Sequence, residues 1–218
     1  MPWFLNRIEG MIQQSVSNIF AMKNNSLIGP LSERWSPYSF SPEPVEPEKL
    51  ISIFEAARRA PSSMNEQPWL FIFTDRSEPE VFGKYVDFLY DGNKAWAVYD
   101  PVLIVILARV NFLRNGKPKR HAFYDTGMAV ANLLAQATAE GLYAHQMGGF
   151  YPERVKTGLG LDDSVEPVAM MALGYKGDGS GLSEELRDRD KVRRPRKNLS
   201  EFVFRRVPGI PAFGEDQK

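Results

Sequence analysis

Four short stretches of this chain hold residue types whose spacing could do chemistry. In Arg34-Trp35-Ser36-Pro37-Tyr38 the arginine and serine stand two apart in a proline-punctuated segment. They therefore project to one side, offering guanidinium donors and a hydroxyl to an anion. Ala60-Pro61-Ser62-Ser63-Met64-Asn65-Glu66-Gln67-Pro68-Trp69 gathers hydroxyls and amides in one turn. Such groups suit a polar ring edge or a sugar-like chain, because each amide both donates and accepts. Gln146-Met147-Gly148-Gly149-Phe150 pairs two glycines, which let backbone approach a ligand with no Cβ between. Arg194-Pro195-Arg196, within the basic run Lys191–Lys197, holds two guanidiniums at an extended spacing that fits a phosphate monoester. Each stretch alone also has a plainer reading: a solvent-facing arginine, turns that bond their own backbone, a solvated charged surface.

The rest of the composition removes most alternatives. There is no cysteine, so disulfides, thiol nucleophiles, iron–sulfur clusters and cysteine zinc sites are excluded. The two histidines, His121 and His145, have no partners at triad or metal spacing, and no metal site is expected. Lys plus Arg balance Asp plus Glu at 27 each, so no strong field draws in nucleic acid or an anionic membrane. No apolar run reaches the ~20 residues that span a bilayer, and the N-terminus lacks the pattern of a secretory signal. The expectation is a cytoplasmic protein that binds neither membrane nor nucleic acid. Its chemistry must come from a borrowed cofactor or from carboxylates and hydroxyls.

The elements that must position these stretches follow from periodicity. Ile8, Met11, Ile12, Val16, Ile19 and Phe20 share one helical face over 6–20. Recurrent prolines make Gly29–Pro47 an extended connector, after which Pro47 opens a helix that Pro61 stops. Trp69–Thr74 reads as a buried strand, and Ser77 with Glu80 has the spacing of a capping box for a helix turning Val81, Tyr85 and Phe88 inward. Val102–Ala108 is a second strand. A long alanine-rich helix runs from about Arg120 to Glu140, with Met128, Ala131, Leu134 and Ala135 on one side and Gly141 as its C-cap glycine. Tyr143–Met147 and Pro167–Leu173 are further strands, with a short helix from Pro152 between them. Leu199–Arg206 alternates like a strand but follows a loop of roughly 20 residues, which suggests pairing with another subunit's sheet. The layered α/β or α+β pattern divides into a helical extension (1–28), a main domain (29–206) and a tail (207–218).

Together and in this order, the four stretches resemble the nitroreductase family of FMN enzymes over roughly residues 32–206. The resemblance includes the R-x-S, the A-P-S-S-x-N-x-Q-P-W signature, Asn93 in Gly92-Asn93-Lys94-Ala95-Trp96, the double-glycine turn and the late R-x-R. It implies an α+β three-layer sandwich with a mostly antiparallel central sheet, and a homodimer that exchanges its C-terminal strand and holds FMN at the interface. By the same resemblance Arg34, Ser36, Arg194 and Arg196 hold the phosphate, with Trp35 and Tyr38 beside them. Pro61, Ser62, Ser63, Asn65 and Gln67 approach the flavin from the other subunit, Asn93 faces its pyrimidine edge, and Gln146, Met147, Gly148 and Gly149 lie along the ring. No side chain is a catalytic acid or base, since the flavin carries the chemistry. NADH or NADPH would be the hydride donor and a nitroaromatic, quinone or similar small molecule the acceptor, in ping-pong order. A flavin carrier or sensor without turnover is one alternative. Dehalogenation or flavin fragmentation on the same fold is another. Tyr38 stands where many members carry a cation, which implies a more reducing flavin here.

Overall fold

The computed structural model describes residues 27–213, as two compact units divided after Gly181. The helix expected over 6–20 lies outside the described residues. The first unit is organised by β2 (Val102–Arg109), a strand with seven consecutive residues at most 1% exposed. A continuous β-branched and aliphatic run can only be satisfied with both faces covered. Antiparallel neighbours flank it: β1 (Trp69–Asp75) on one side, β4 (Val165–Gly174) on the other, with β3 (Tyr143–Met147) beyond β4.

Two helices cover one face. Helix α2 (Pro47–Arg58) starts at a proline that fixes the first-turn φ, and α5 (Ala122–Ala139) lies beside it. Ile53, Ala57, Ala129, Leu133 and Ala137 of these helices pack with Val102, Ile104, Ile106, Met171 and Leu173 of the sheet. The alternate residues Leu103, Val105 and Leu107 are equally buried on the opposite side. Helix α3 (Pro79–Asp87) packs on β1 and α6 (Pro152–Leu159) on β4, with α4 (Asp91–Ala97) against α3. The result is the expected α+β sandwich around an antiparallel sheet.

Several local expectations change. The connector from Gly29 contains a short helix, α1 (Gly29–Glu33), because Pro30 suits a first helical turn; the chain is extended only from Arg34 on. Strand β1 is half-buried rather than buried, with Phe73 43% exposed, as befits the edge of this sheet. Ser77 does not cap α3: its N–H and hydroxyl both go to Asp75 Oδ1, at 2.8 and 2.5 Å, and the helix begins at Pro79 with Phe82, Tyr85 and Phe88 inward. The Asp75 carboxylate, two residues away, takes both Ser77 donors and so pre-empts the cap, and Phe82 is buried where Val81 was expected.

The buried stripe of α5 is Ala122, Asp125, Thr126, Ala129, Val130, Leu133 and Ala137, rotated from the expected one. Small residues allow close approach to the sheet, leaving Met128, Leu134 and Ala135 partly exposed and Ala131 exposed. Gly141 does terminate this helix, at φ 76°, a conformation that favours glycine. The second unit contains α7 (Glu184–Lys191), capped by the Ser183 hydroxyl. Leu199–Arg206 is not a strand in this chain. Asn198 and Glu201 form a reciprocal capping box that coils Leu199–Glu201 into a 3-10 turn, and a bridge between Phe204 and Pro211 closes the loop after it.

Candidate functional site

The residues singled out in the first unit fall into two clusters. The first is built on the segment leaving α1. Arg34 donates from Nη1 to Ser36 Oγ at 3.0 Å, so guanidinium and hydroxyl converge as the two-residue spacing requires. Arg34, Trp35, Ser36 and Tyr38 are all half-buried. The segment is fastened to β3 by His145, whose Nδ1–H donates to the Pro37 carbonyl at 2.8 Å; only a protonated nitrogen can pair with that oxygen. The Tyr38 ring sits 4.8 Å from the His145 ring and 5.4 Å, edge-on, from the Trp96 ring. Trp96 in turn lies 4.6 Å from His145 and 6.4 Å from Phe40, stacked.

Strand β3 then leads into the double-glycine turn. Gln146 and Gly148 are exposed, whereas the Met147 side chain is only 2% exposed and faces the core. Of the expected contacts, Met147 can therefore offer backbone only. Asn93 donates from Nδ2 to the Gly149 carbonyl at 2.9 Å, and the Tyr90 N–H reaches the same oxygen at 3.0 Å. A Cβ on Gly149 would stand 2.9 Å from Asn93 Nδ2 and 3.3 Å from Tyr90. Glycine is required there so that α4 can clamp the turn. Asn93 keeps its Oδ1 to accept a hydrogen bond from a ligand. The Arg34–Ser36 fork, through Pro37 and His145, and the Asn93 amide, through Gly149, are thus both tied to β3 and the turn that follows it.

The second cluster is the signature turn. Ser62 closes it by accepting the Gln67 N–H at 3.0 Å. Met64, Asn65 and Gln67 all have left-handed backbone, at φ 56°, 55° and 47°. For residues other than glycine this conformation costs roughly 1–2 kcal/mol each, so something must hold it. Asp125, 2% exposed in the first turn of α5, accepts the Ser63 N–H at 3.1 Å. Glu66 faces Lys119 and Arg114, each at 3.9 Å. Pro61, Asn65 and Gln67 are exposed and Ser62 and Ser63 half-buried; Gln67 Nε2 donates to the Asn65 side chain at 3.3 Å. The turn's bonds and ion pairs go to Asp125, Lys119 and Arg114, not to the first cluster.

Glu66, Lys119, Asp125 and the joint at His145 were not singled out from the sequence. Only Asp125, an acid in a first helical turn, carries any local signal. In the second unit, Arg194 and Arg196 are exposed in the extended stretch after α7. One further acid is hidden beside α4. Asp100 is 0% exposed and neither carboxyl oxygen has a hydrogen-bond partner; burial drives its pKa well above the usual carboxylate range, against a smaller opposing pull from Arg76. Arg76 instead donates to the Asp100 and Val98 carbonyls.

FMN can be tested against this arrangement. The Arg34–Ser36 fork matches a phosphate, the exposed amides of Asn65 and Gln67 match a polar ring or ribityl chain, and a Cβ at Gly148 would meet nothing within 4 Å, leaving its face open to a planar group. The residues present fit the group. No helix among the described residues is long and apolar enough to cross a membrane.

Comparison with known proteins agrees. The model of the nitroreductase family matches residues 31–97 and 85–175. A solved structure described as an oxidoreductase containing FMN is 30% identical, covering 87% of this chain and 96% of that one, with a TM-score of 0.80. The FMN reductase [NAD(P)H] of Bacillus subtilis is 27% identical over 180 residues, 74% of this chain and 70% of its own. Iodotyrosine deiodinase 1 of Rattus norvegicus is 25% identical over 191 residues, 75% of this chain and 66% of its own.

Proposed function

The chain belongs to the nitroreductase family, and from that premise we propose that it is an FMN-dependent oxidoreductase taking hydride from NADH or NADPH and reducing a small conjugated acceptor such as a nitroaromatic or quinone. The observation that carries this reading is the first cluster. A guanidinium–hydroxyl fork is tied through Pro37 and His145 to an open double-glycine turn, so an anion and a planar ring can be held by one surface.

FMN, when bound, supplies reversible two-electron chemistry that no side chain here offers. The chain's own residues bind and orient. Arg34 and Ser36 would hold the phosphate, with Trp35 and Tyr38 walling the segment, and the family resemblance gives Arg194 and Arg196 a phosphate-binding role as well. Asn93 Oδ1 accepts from the pyrimidine edge. The backbone of Gln146, Met147, Gly148 and Gly149 would hold the ring and could offer it N–H donors. One open face serves nicotinamide and acceptor in turn, which gives ping-pong kinetics.

The signature turn supports a homodimeric site. Its hydrogen bonds and ion pairs go to Asp125, Lys119 and Arg114, which leaves the amides of Asn65 and Gln67 exposed, and by the family resemblance Pro61, Ser62, Ser63, Asn65 and Gln67 would act on the flavin bound by a partner subunit. Residues 29–206 then form the binding domain. Likeness to both an FMN reductase and a deiodinase leaves the family broad, and the open space over Gly148 is what favours a planar acceptor.

The test is direct. Protein reconstituted with FMN should retain a visible band near ~450 nm, a property of the cofactor, and anaerobic NADH or NADPH should bleach it. Arg34→Ala or Arg196→Ala should weaken FMN binding by about 10- to 100-fold with the fold intact, as loss of a charge-assisted bond implies. A protein that stays colourless sinks the reading; one that binds FMN but is not bleached is a carrier.

A further inference from the structure

The geometry points to Lys119 as a positioning residue: we propose that its buried ammonium, facing Glu66, clamps residues 62–67 in the left-handed shape that meets the flavin. This rests on the assignment of that turn to flavin contact. Lys119 is 5% exposed, and its side chain 2%. Its Nζ makes no hydrogen bond among the described residues. It stands 3.9 Å from Glu66 Oε2 and 5.7 Å from the Phe112 ring. An ammonium out of water without hydrogen bonds is costly unless opposite charges surround it. Glu66, itself only 18% exposed at the side chain, stands opposite it, and the Asp125 carboxylate, which accepts the Ser63 N–H, adds a longer-range pull. Burial lowers the Lys119 pKa, and the two carboxylates pull it back up.

The three groups reach the turn from separate parts of the chain. Glu66 belongs to the turn and Asp125 to α5. Lys119 leaves a hairpin closed by the Asn111–Pro118 bridge, where its own N–H donates to the Val110 carbonyl at 2.6 Å. Glu66 is thereby drawn toward the hairpin at one end of the turn, while Asp125 draws Ser63 toward α5 at the other. Met64 and Asn65, two of the left-handed residues, lie between those two points. Without the ammonium, the partly buried Glu66 carboxylate would keep only the exposed Arg114 as a counter-charge and would turn toward solvent, loosening that end of the turn. Lys119 so acts on the cofactor through the turn and touches it nowhere.

The experiment uses the full-length protein, with amide hydrogen exchange of residues 62–67 read in the apoprotein and FMN affinity read by fluorescence titration. Lys119→Met should speed exchange in 62–67 and leave β2 unchanged, raise the Kd for FMN about tenfold, and alter the visible circular dichroism of the flavin it still binds. Glu66→Gln, at a less buried position, should do the same more weakly. The double variant should be no worse than Lys119→Met, since the pair acts as one unit. Lys119→Arg should keep both properties near wild type. Unchanged exchange in both single variants, or losses that add in the double variant, overturn the proposal. If Lys119→Met does not fold, Glu66→Gln and Lys119→Arg decide by the same two readouts. If the wild type takes up no FMN, the functional reading fails, while exchange in 62–67 still judges the clamp.

Discussion

The two halves of the site solve one problem by different physics. The segment Arg34–Tyr38 runs in ordinary extended backbone and is held by a histidine on a carbonyl and a cluster of the Tyr38, His145, Trp96 and Phe40 rings, with Lys176 over the Trp35 ring at 6.0 Å. The signature turn is bent into left-handed conformations and held by charges, Asp125 on an N–H and Lys119 and Arg114 beside Glu66. Ring packing supports the first half, which should yield to changes in volume. Charge balance supports the second, which should yield to losing a charge even where volume is kept.

The largest effect should come from breaking the ring-packed half. Trp96 is 1% exposed and touches three of the four rings in that stack. Trp96→Ala should cost about 3–5 kcal/mol in chemical denaturation, and the cavity should free the Arg34 segment and weaken FMN binding. Trp96→Phe should lose far less, because the indole N–H has no hydrogen-bond partner to forfeit. A Trp96→Ala protein within about 1 kcal/mol of wild type would show that rings do not hold this half.

Next in size is a pH effect that this half conceals. Asp100 sits four residues after Trp96 with its folded pKa raised by burial. A carboxyl with a raised folded pKa contributes stability fully below its unfolded pKa of about 3.9 and loses it as pH rises toward the folded value. Wild-type stability should therefore decline from about pH 4 upward, by on the order of 1–3 kcal/mol for a buried polar group with no bond to offset it. Asp100→Asn should flatten that decline in thermal melts taken across pH. A profile that falls equally steeply in the variant would place the titrating group elsewhere.

The sequence was informative where the physics is local. Seven apolar residues in a row could only be a strand buried on both faces, and Val102–Arg109 is one. Gly141 marked a helix end because a left-handed C-cap favours glycine. Local reading failed where two local partners competed, as when Asp75 took Ser77 from its expected cap. It failed again where two apolar stripes shared one helix and packing against the sheet chose the narrower one. For the site, ligand-facing residue types stood out, but their supports did not. Lys119 and Asp125 meet the turn across more than fifty residues, and nothing near them in the chain signals that meeting. The joint at His145 is equally distant: its ring meets the Pro37 carbonyl 108 residues away.

The smallest effect sharpens the contrast within the charged half. Arg114 stands at the same 3.9 Å from Glu66 as Lys119, yet its side chain is 51% exposed against 2%. It also rests on the Phe112 ring at 4.8 Å and reaches Met64 Sδ at 3.3 Å. An exposed pair at this separation is worth at most about 1 kcal/mol, because solvent screens it and two long side chains must be ordered. Arg114→Ala should therefore raise the Kd for FMN less than about fivefold, and the difference should vanish near 0.5 M salt, where the Debye length falls to ~4 Å. The loss in Lys119→Met should persist there, since a buried charge is beyond the reach of salt. If the Arg114 variant loses as much as the Lys119 variant and keeps that loss at high salt, burial is not what distinguishes the two cations. The clamp on the turn would then have to be assigned to the hairpin's packing on Met64 and Phe112.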